Sequence, residues 1–476
     1  MREDDAFTNA DLRPVPPERR TWSLWDIAAL WVGMAVCIPT YQLASSLIEQ
    51  GLAWWEAALT VLLGSLIVAV PMALNSHAGT AYGIPFPVLL RSSFGLRGSN
   101  VPALMRAAVA CGWFGIQTWI GGSAFYGILV SLGLVTPEDW AVVGWLGISW
   151  PQFFAFLLFW AVNMAVILRG IECIRWLENL GAPFLLAVGF ALLGWALYAA
   201  GGAGELFAEK TQDLTGAAFF AVFLPGLTGI VGFWGTLALN VPDFTRYARS
   251  QYDQTVGMAV GMPATTTGFA LIGILVTSAT VVVYGEAIWN PVELLDRFPL
   301  GVVLVSQFAL IIATLTTNIA ANVVSPANDF SNLAPRWISF RMGGIITGLI
   351  GVAMFPWEIL RNPHNYVLTF LVGYSALLGP IAGIMIADYW VVRQRRLVVA
   401  DLYRLDGAYL YRAGVSWVAL GVLGLAIAPS LPGFLATFGF AEPSAFFRLY
   451  YDTSWFSGFL VAFVAYILAR RAWPEY

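Results

Sequence analysis

Residues 31–40 read Trp31-Val32-Gly33-Met34-Ala35-Val36-Cys37-Ile38-Pro39-Thr40, and residues 225–235 read Pro225-Gly226-Leu227-Thr228-Gly229-Ile230-Val231-Gly232-Phe233-Trp234-Gly235. Each stretch lies inside an apolar run long enough to cross a bilayer, yet neither suits an unbroken α-helix. A proline there removes one helical hydrogen bond and clashes with the carbonyl four residues back. Hydrocarbon offers nothing to pair the freed groups, so such interruptions are tolerated only where they line a cavity. The two stretches fall in the first and sixth apolar runs, the same place in two five-helix halves. A matched pair of interrupted helices marks a transporter site built on inverted repeats. Glycine and proline also serve packing and bending in membrane helices, so the pair carries more weight than either member.

Composition puts these runs in lipid. Of 476 residues, 59% are hydrophobic and 11% are charged, against about 25% charged in soluble domains. Too few charges remain to wet the surface, and the chain reads as an all-α integral membrane protein. A disordered or fibrous chain is excluded by the same numbers, because the 47 glycines follow no triplet period. Net charge is −4 and Lys210 is the only lysine, so there is no basic surface for nucleic acid. Cys37, Cys111 and Cys173 lie in or beside apolar runs without a CxxC pair, which argues against a disulfide framework or structural zinc. His77 and His364 are too few for a His-rich metal centre, and no GxxxxGK is present to bind ATP through a P-loop.

A hydrocarbon core about 30 Å thick needs roughly 20 apolar residues per helix. Twelve spans are predicted, near 24–48, 53–74, 102–131, 140–168, 180–201, 215–240, 256–284, 300–323, 343–359, 366–391, 413–430 and 453–470. The ninth is short, and the last two are also compatible with one hairpin. Residues 1–22 read as a cytoplasmic tail, residues 23–201 and 215–391 as two inverted five-helix repeats, and residues 392–476 as two trailing helices with a short C-terminal tail. Cytoplasmic loops are rich in Lys and Arg. With the N-terminus inside, only Lys210, Arg297, Arg361 and Arg448 of the 24 basic residues fall outside. Both termini are therefore expected on the cytoplasmic side of the inner (plasma) membrane.

Polar residues inside a bundle are expensive and mark function. In the eighth span Ala313, Thr316 and Thr317 fall at i, i+3 and i+4, on one face. Two hydroxyls and a carbonyl there are hard, uncharged oxygen ligands suited to Na⁺, and Gly33 and Val36 of the broken first helix could add carbonyls. The same hydroxyls could instead bond back to their own helix. In the third span Trp113 and Gln117 are one turn apart, so an indole face and an amide could stack on a flat heterocycle and read its edge. Trp234 offers a second stacking surface and Asn322 a second amide. Asp26, Asp243 and Asp388 sit near helix ends, where pairing with arginines or helix capping is expected.

Four ordered motifs then carry a resemblance. They are Tyr82-Gly83-Ile84-Pro85-Phe86-Pro87 with Arg91-Ser92-Ser93-Phe94-Gly95, Trp113-Phe114-Gly115-Ile116-Gln117-Thr118-Trp119, Thr317-Asn318-Ile319-Ala320-Ala321-Asn322, and Gly379-Pro380-Ile381-Ala382-Gly383-Ile384-Met385 with Asp388-Tyr389. The chain resembles the nucleobase–cation symport-1 family, whose members take up hydantoins, allantoin, uracil, cytosine and related rings. The resemblance implies ten helices in an inverted repeat, with helices 1 and 6 broken, plus two trailing helices. It implies that Trp113 and Trp234 sandwich the ring and that Gln117 and Asn322 bond its polar edge. It also implies that the carbonyls of Gly33, Val36 and Ala313, with the hydroxyls of Thr316 and Thr317, hold Na⁺. One position departs from the family pattern: where hydantoin transporters turn a Gln from the broken first helix to the substrate, this chain has Cys37, a weakly bonding thiol.

The expected function is secondary active import of a small neutral nitrogen heterocycle, of nucleobase, hydantoin, allantoin or dihydropyrimidine type, by Na⁺ symport with alternating access. Its partners are the ring, the coupling ion and the lipid bilayer. Proton coupling of the same substrates is the alternative. A membrane-embedded enzyme needs paired carboxylates, a His dyad or a nucleophile–base pair at membrane depth, and the sequence offers none.

Overall fold

The first span breaks where the proline places the break. In the computed structural model, which describes residues 7–136, 140–169, 171–208, 214–295 and 297–473, α1 (Leu24–Ala35) and α2 (Ile38–Glu49) meet at a bend of 53°. Lys210 and the side chain of Cys173 lie outside the described residues. A reciprocal cap starts α1: Ser23 Oγ accepts from the Asp26 amide, and the Asp26 carboxylate accepts from the Ser23 amide. Pro39 lies in the first turn of α2, where no amide donor is needed.

The rest of the first half is α3 (Trp54–Tyr82), α4 (Phe86–Phe94), α5 (Asn100–Ser131), α6 (Trp150–Arg169), α7 (Ile171–Ala199) and the short α8 (Ala203–Ala208). The second half comprises α9 (Gly216–Asn240), α10 (Pro242–Thr245), α11 (Gln251–Tyr284), α12 (Pro291–Leu295), α13 (Leu300–Asn322), α14 (Val324–Leu333), α15 (Phe340–Ala353) and α16 (Pro356–Ile359). Its last span runs from His364 to Val392, with a central α17 (Gly373–Ile386) between π-helical turns at His364–Val372 and Ala387–Val392. The trailing part holds α18 (Trp417–Ile427), α19 (Leu431–Ala436), α20 (Ala445–Asp452) and α21 (Ser454–Ala472).

Every predicted span coincides with a helix. Eight described helical stretches are long and apolar enough to cross a membrane, nine with the bent α1–α2 pair; α5, α7 and α15 complete the twelve. Two local expectations shift. The fourth span begins at Trp150 and not near residue 140, because Gly147 takes a left-handed turn (φ +77°) and Ser149 pairs with Gln152. The sixth span stays helical through all its glycines, and only Val241, itself with helical dihedrals, separates α9 from α10. The predicted opening around Trp234 is not seen in this helix. The reason is packing: a Cβ at Gly226 would press on Leu47 and one at Gly232 would overlap Ser375, so these glycines let neighbouring helices approach.

The helices sort into two groups. α1, α11, α3 and α9 pack in succession, with α10 against α3; α5, α6, α13, α14 and α15 form the second group, and α7 touches both α11 and α13. The N-terminal segment lies across the end where many arginines gather. Asn9 donates to Ser331, Tyr403 donates to the Leu12 carbonyl, Arg246 donates to the Asp11 carbonyl, Val15 donates to the Gly83 carbonyl, and Trp22 bridges to Ala248. The acidic residues behave as expected near helix ends. Asp243 accepts from the Phe86 amide at the start of α4, and Asp388 accepts from Arg393 at 2.7 Å, Tyr466 at 2.9 Å and Ser92 at 3.0 Å.

α17 lies directly on α21. A Cβ at Gly379 would meet the Trp455 backbone and one at Gly383 the Phe459 carbonyl, groups that cannot rotate away. Gly379→Ala should therefore destabilise the protein by about 1–3 kcal/mol. This is measurable as a lower Tm of the detergent-solubilised protein, and an unchanged Tm contradicts the close approach.

Candidate functional site

At the break, the backbone amides change partners. Pro39 has no N–H to offer the Ala35 carbonyl, and Cys37 N–H takes it at 3.1 Å; Thr40 N–H turns to the Cys37 carbonyl, also at 3.1 Å. These are the two amides that a continuous helix would give to Gly33 and Val36. Both of those carbonyls are thus released from the ladder. The Pro39 carbonyl receives the Tyr366 hydroxyl at 3.3 Å. Cys37 is buried, with Sγ 3.2 Å from Thr40 Oγ1.

α1 packs on α13, whose buried face holds Ala313, Thr316 and Thr317. Thr316 Oγ1 donates to the Ala313 carbonyl at 2.8 Å and Thr317 Oγ1 donates to it at 3.0 Å, the back-bonding pattern that threonines in helices favour. A hydroxyl that spends its hydrogen this way keeps its lone pairs. The resulting oxygens are hard and uncharged, a donor set that suits a monovalent hard cation and not a soft metal.

Beside the break lies an aromatic group. Trp113 meets Phe233, Phe370, Tyr366 and Tyr374 edge-on, with ring centroids 5.2, 5.3, 6.2 and 6.4 Å away. Trp234 is fully buried and meets Trp31 at 6.0 Å and Phe233 at 5.4 Å. Phe233 therefore touches both indoles, so the two tryptophans share an aromatic neighbour from α9. Tyr366 in turn stacks on Trp289 at 6.1 Å. Among the described residues, the indole N–H of Trp234 and the Gln117 Oε1 are buried without hydrogen-bond partners, while the Trp113 indole N–H faces the Tyr374 hydroxyl. An unspent donor and an unspent acceptor beside aromatic faces are what a polar heterocycle needs.

Asn322 is held from behind. Its Nδ2 donates to Asn318 Oδ1 at 3.0 Å, and Asn318 Nδ2 lies 3.2–3.3 Å from Thr118 Oγ1, Asn163 Oδ1 and the Phe114 carbonyl. This network ties α13 to α5 and α6, one turn from Gln117. The expected residues thus stand on the break, α5, α9 and α13; the contacts join Trp113 to Trp234 through Phe233, and Thr316 and Thr317 to Ala313. The structure adds Phe233, Tyr366, Trp31, Asn318 and Asn163, which sequence reasoning did not single out for a role. The Asn318–Asn322 spacing of four was the one local signal available; the others are contacts between helices.

Comparison with known proteins then decides the family. Residues 14–458 match the family model described as a permease for cytosine/purines, uracil, thiamine and allantoin. The chain belongs to this family. It is 43% identical to a purine-uracil permease of Arabidopsis thaliana over 98% of this chain and 78% of that protein. It is 38% identical to an allantoin permease of Bacillus subtilis over 100% and 95% of the two chains. Its fold matches the solved structure of Mhp1, a nucleobase-cation-symport-1 family transporter in a closed conformation with bromovinylhydantoin bound. That match has a TM-score of 0.81 at 27% identity, and it covers 98% of this chain and 96% of the other. This member of the nucleobase–cation symport-1 family is a multi-pass membrane transporter and not an enzyme, and its architecture is a five-plus-five inverted repeat with two trailing helices.

The asparagine network makes a prediction of its own. Asn318→Ala removes the acceptor of Asn322 and the donor to α5 and α6, leaving buried polar groups unpaired at a cost of about 1–3 kcal/mol. Thermal unfolding should report the loss; a variant as stable as the parent contradicts the network.

Proposed function

We propose that this transporter imports a small neutral nitrogen heterocycle, of nucleobase, allantoin, hydantoin or dihydropyrimidine type, by Na⁺ symport with alternating access. The observation that carries the reading is the pair of carbonyls released at Gly33 and Val36 where α1 ends, on a helix that touches α13, the helix that carries Ala313, Thr316 and Thr317. Na⁺ taken up by these five groups would tie α1 to α13. The ring would lie against Trp113 and Trp234, with Gln117 and Asn322 on its polar edge and Cys37 beside it. Relatives named for purine, uracil and allantoin, and the hydantoin bound to Mhp1, support this substrate class.

Physical adequacy supports it as well. One charge crossing 100 mV contributes about 2.3 kcal/mol, or about fifty-fold accumulation before any Na⁺ gradient is added. Ion and ring would sit at the contact between the two helix groups, so each raises the other's affinity by holding the same arrangement. The halves 23–201 and 215–391 act as the inverted repeats, and residues 392–476 as the trailing helices. Both termini would lie in the cytoplasm, with the protein in the inner (plasma) membrane, a reading that the skew of basic residues supports.

Thermal-shift measurement of the purified protein against uracil, cytosine, allantoin, hydantoins and dihydropyrimidines, with and without Na⁺, tests the proposal. A ring at a hundred times its Kd raises stability by about 2.7 kcal/mol. Withdrawing Na⁺, or making Thr317→Ala, should weaken ring binding at least about tenfold, or about 1.4 kcal/mol. Unchanged affinity in both cases rejects the Na⁺ assignment, and uptake that follows a pH gradient while ignoring Na⁺ assigns the coupling to protons. Cys37→Gln should change which ring binds best, because an amide replaces a thiol at the ring edge; an unaltered ranking removes Cys37 from the site.

A further inference from the structure

Away from the ring and ion groups, a second set of buried charges lies where the two helix groups meet. Arg106 on α5 donates from Nη2 to Asn240 Oδ1 at 3.0 Å; Asn240 donates to Ser325 on α14, and Ser325 Oγ donates to Asp243 Oδ2 at 2.7 Å. Arg106 and Ser325 belong to one helix group, Asn240 and Asp243 to the other. All three bonds therefore cross the contact along which alternating access would move the chain. Asp329, one turn beyond Ser325, is left out of this chain. It is fully buried, Oδ2 lies 3.8 Å from Arg106 Nη1, and neither carboxylate oxygen has a hydrogen-bond partner among the described residues.

A carboxylate ionised in such a place has lost its water without gaining donors, and an ion pair at that separation does not compensate it. The groups facing it are few. α5 presents Arg106 and Cys111, and α10 presents Asp243 with Arg246 beside it. Arg91 on α4 is committed to Asn332 and the Leu402 carbonyl, and α15 carries Arg341 on an exposed side. While the groups are joined, Asp329 shares its surroundings with a second carboxylate and Arg106 spends Nη2 on Asn240. Were they to part, Asp243 would leave with its own helix, Arg106 Nη2 would be freed, and water would reach Asp329.

We propose that Asp329 is a proton-binding site, filled while the two helix groups are joined at this end and emptied when they separate, so that protons hold this end shut independently of Na⁺. The site deepens the alternating-access reading and rests on it.

Hydrogen–deuterium exchange of the full-length protein, followed on the peptide spanning Asn240 to Ala248 and corrected for the intrinsic pH dependence, reads the separation. In the parent protein exchange should rise with pH by up to about tenfold per pH unit, the limit for a single proton. Asp329→Asn, a neutral mimic of the protonated acid, should keep exchange low at every pH, and Asp329→Glu should restore the pH response. Infrared difference spectra between low and high pH should contain a protonated-carboxyl band that the parent shows and Asp329→Asn lacks, and that Glu49→Gln and Asp452→Asn both keep. A parent without pH response, an Asp329→Asn profile matching the parent, or no such band overturns the proton site. Exchange that responds to Na⁺ with allantoin but not to pH overturns that site alone. Exchange that responds to neither overturns the alternating movement as well.

Discussion

A carbonyl inside hydrocarbon must find a donor, and the site described here grows out of one place where the helix ladder cannot supply it. Pro39 withholds an amide, Cys37 shifts to cover Ala35, and the shortage passes along the chain to Gly33 and Val36. Facing lipid, that shortage would cost several kcal/mol per group. At the end of α1, a helix that touches α13, it leaves two carbonyl oxygens outside the ladder. The Tyr366 hydroxyl covers the Pro39 carbonyl, which fixes where the tenth span sits against the break and brings its ring to Trp113.

Division of the helices into two packed groups gives this local shortage a larger consequence. Trp234 and the broken helix belong to one group, and Trp113, Gln117, Thr316, Thr317 and Asn322 to the other. A ring or ion held between them contacts both sides only while the groups keep one relative position. Differential contact of that kind lets a ligand shift a conformational equilibrium. The Arg106–Asn240–Ser325–Asp243 chain crosses the same contact at a different level, so the two groups are joined by polar links as well as by the aromatic set.

Glycine serves two separate ends in this fold. At Gly147 it supplies a left-handed turn that delays the fourth helix. In α9 and α17 it removes side chains where backbones or neighbouring side chains come close. Membrane helices have no hydrophobic force pulling them together, so such close approach is a main source of their packing energy. The glycine-rich sixth span looked like a broken helix for this reason: composition alone does not distinguish a glycine that opens a ladder from one that admits a neighbour.

Local patterns along the chain determined much of this protein. Apolar run lengths located all twelve spans, Pro39 located the break, and spacings of three and four put Ala313 with Thr316 and Thr317, and Trp113 with Gln117, on shared faces. These features follow from helix geometry within a single segment. Only the tertiary structure decided that Phe233 touches both indoles, that Tyr366 covers Pro39, that Asn318 reaches α5 and α6, that the N-terminal segment is pinned across one end, and that Asp329 is buried without a donor. Each of these is a meeting of residues more than a hundred positions apart, or depends on one, and nothing in a single helix's periodicity encodes which neighbour it will face.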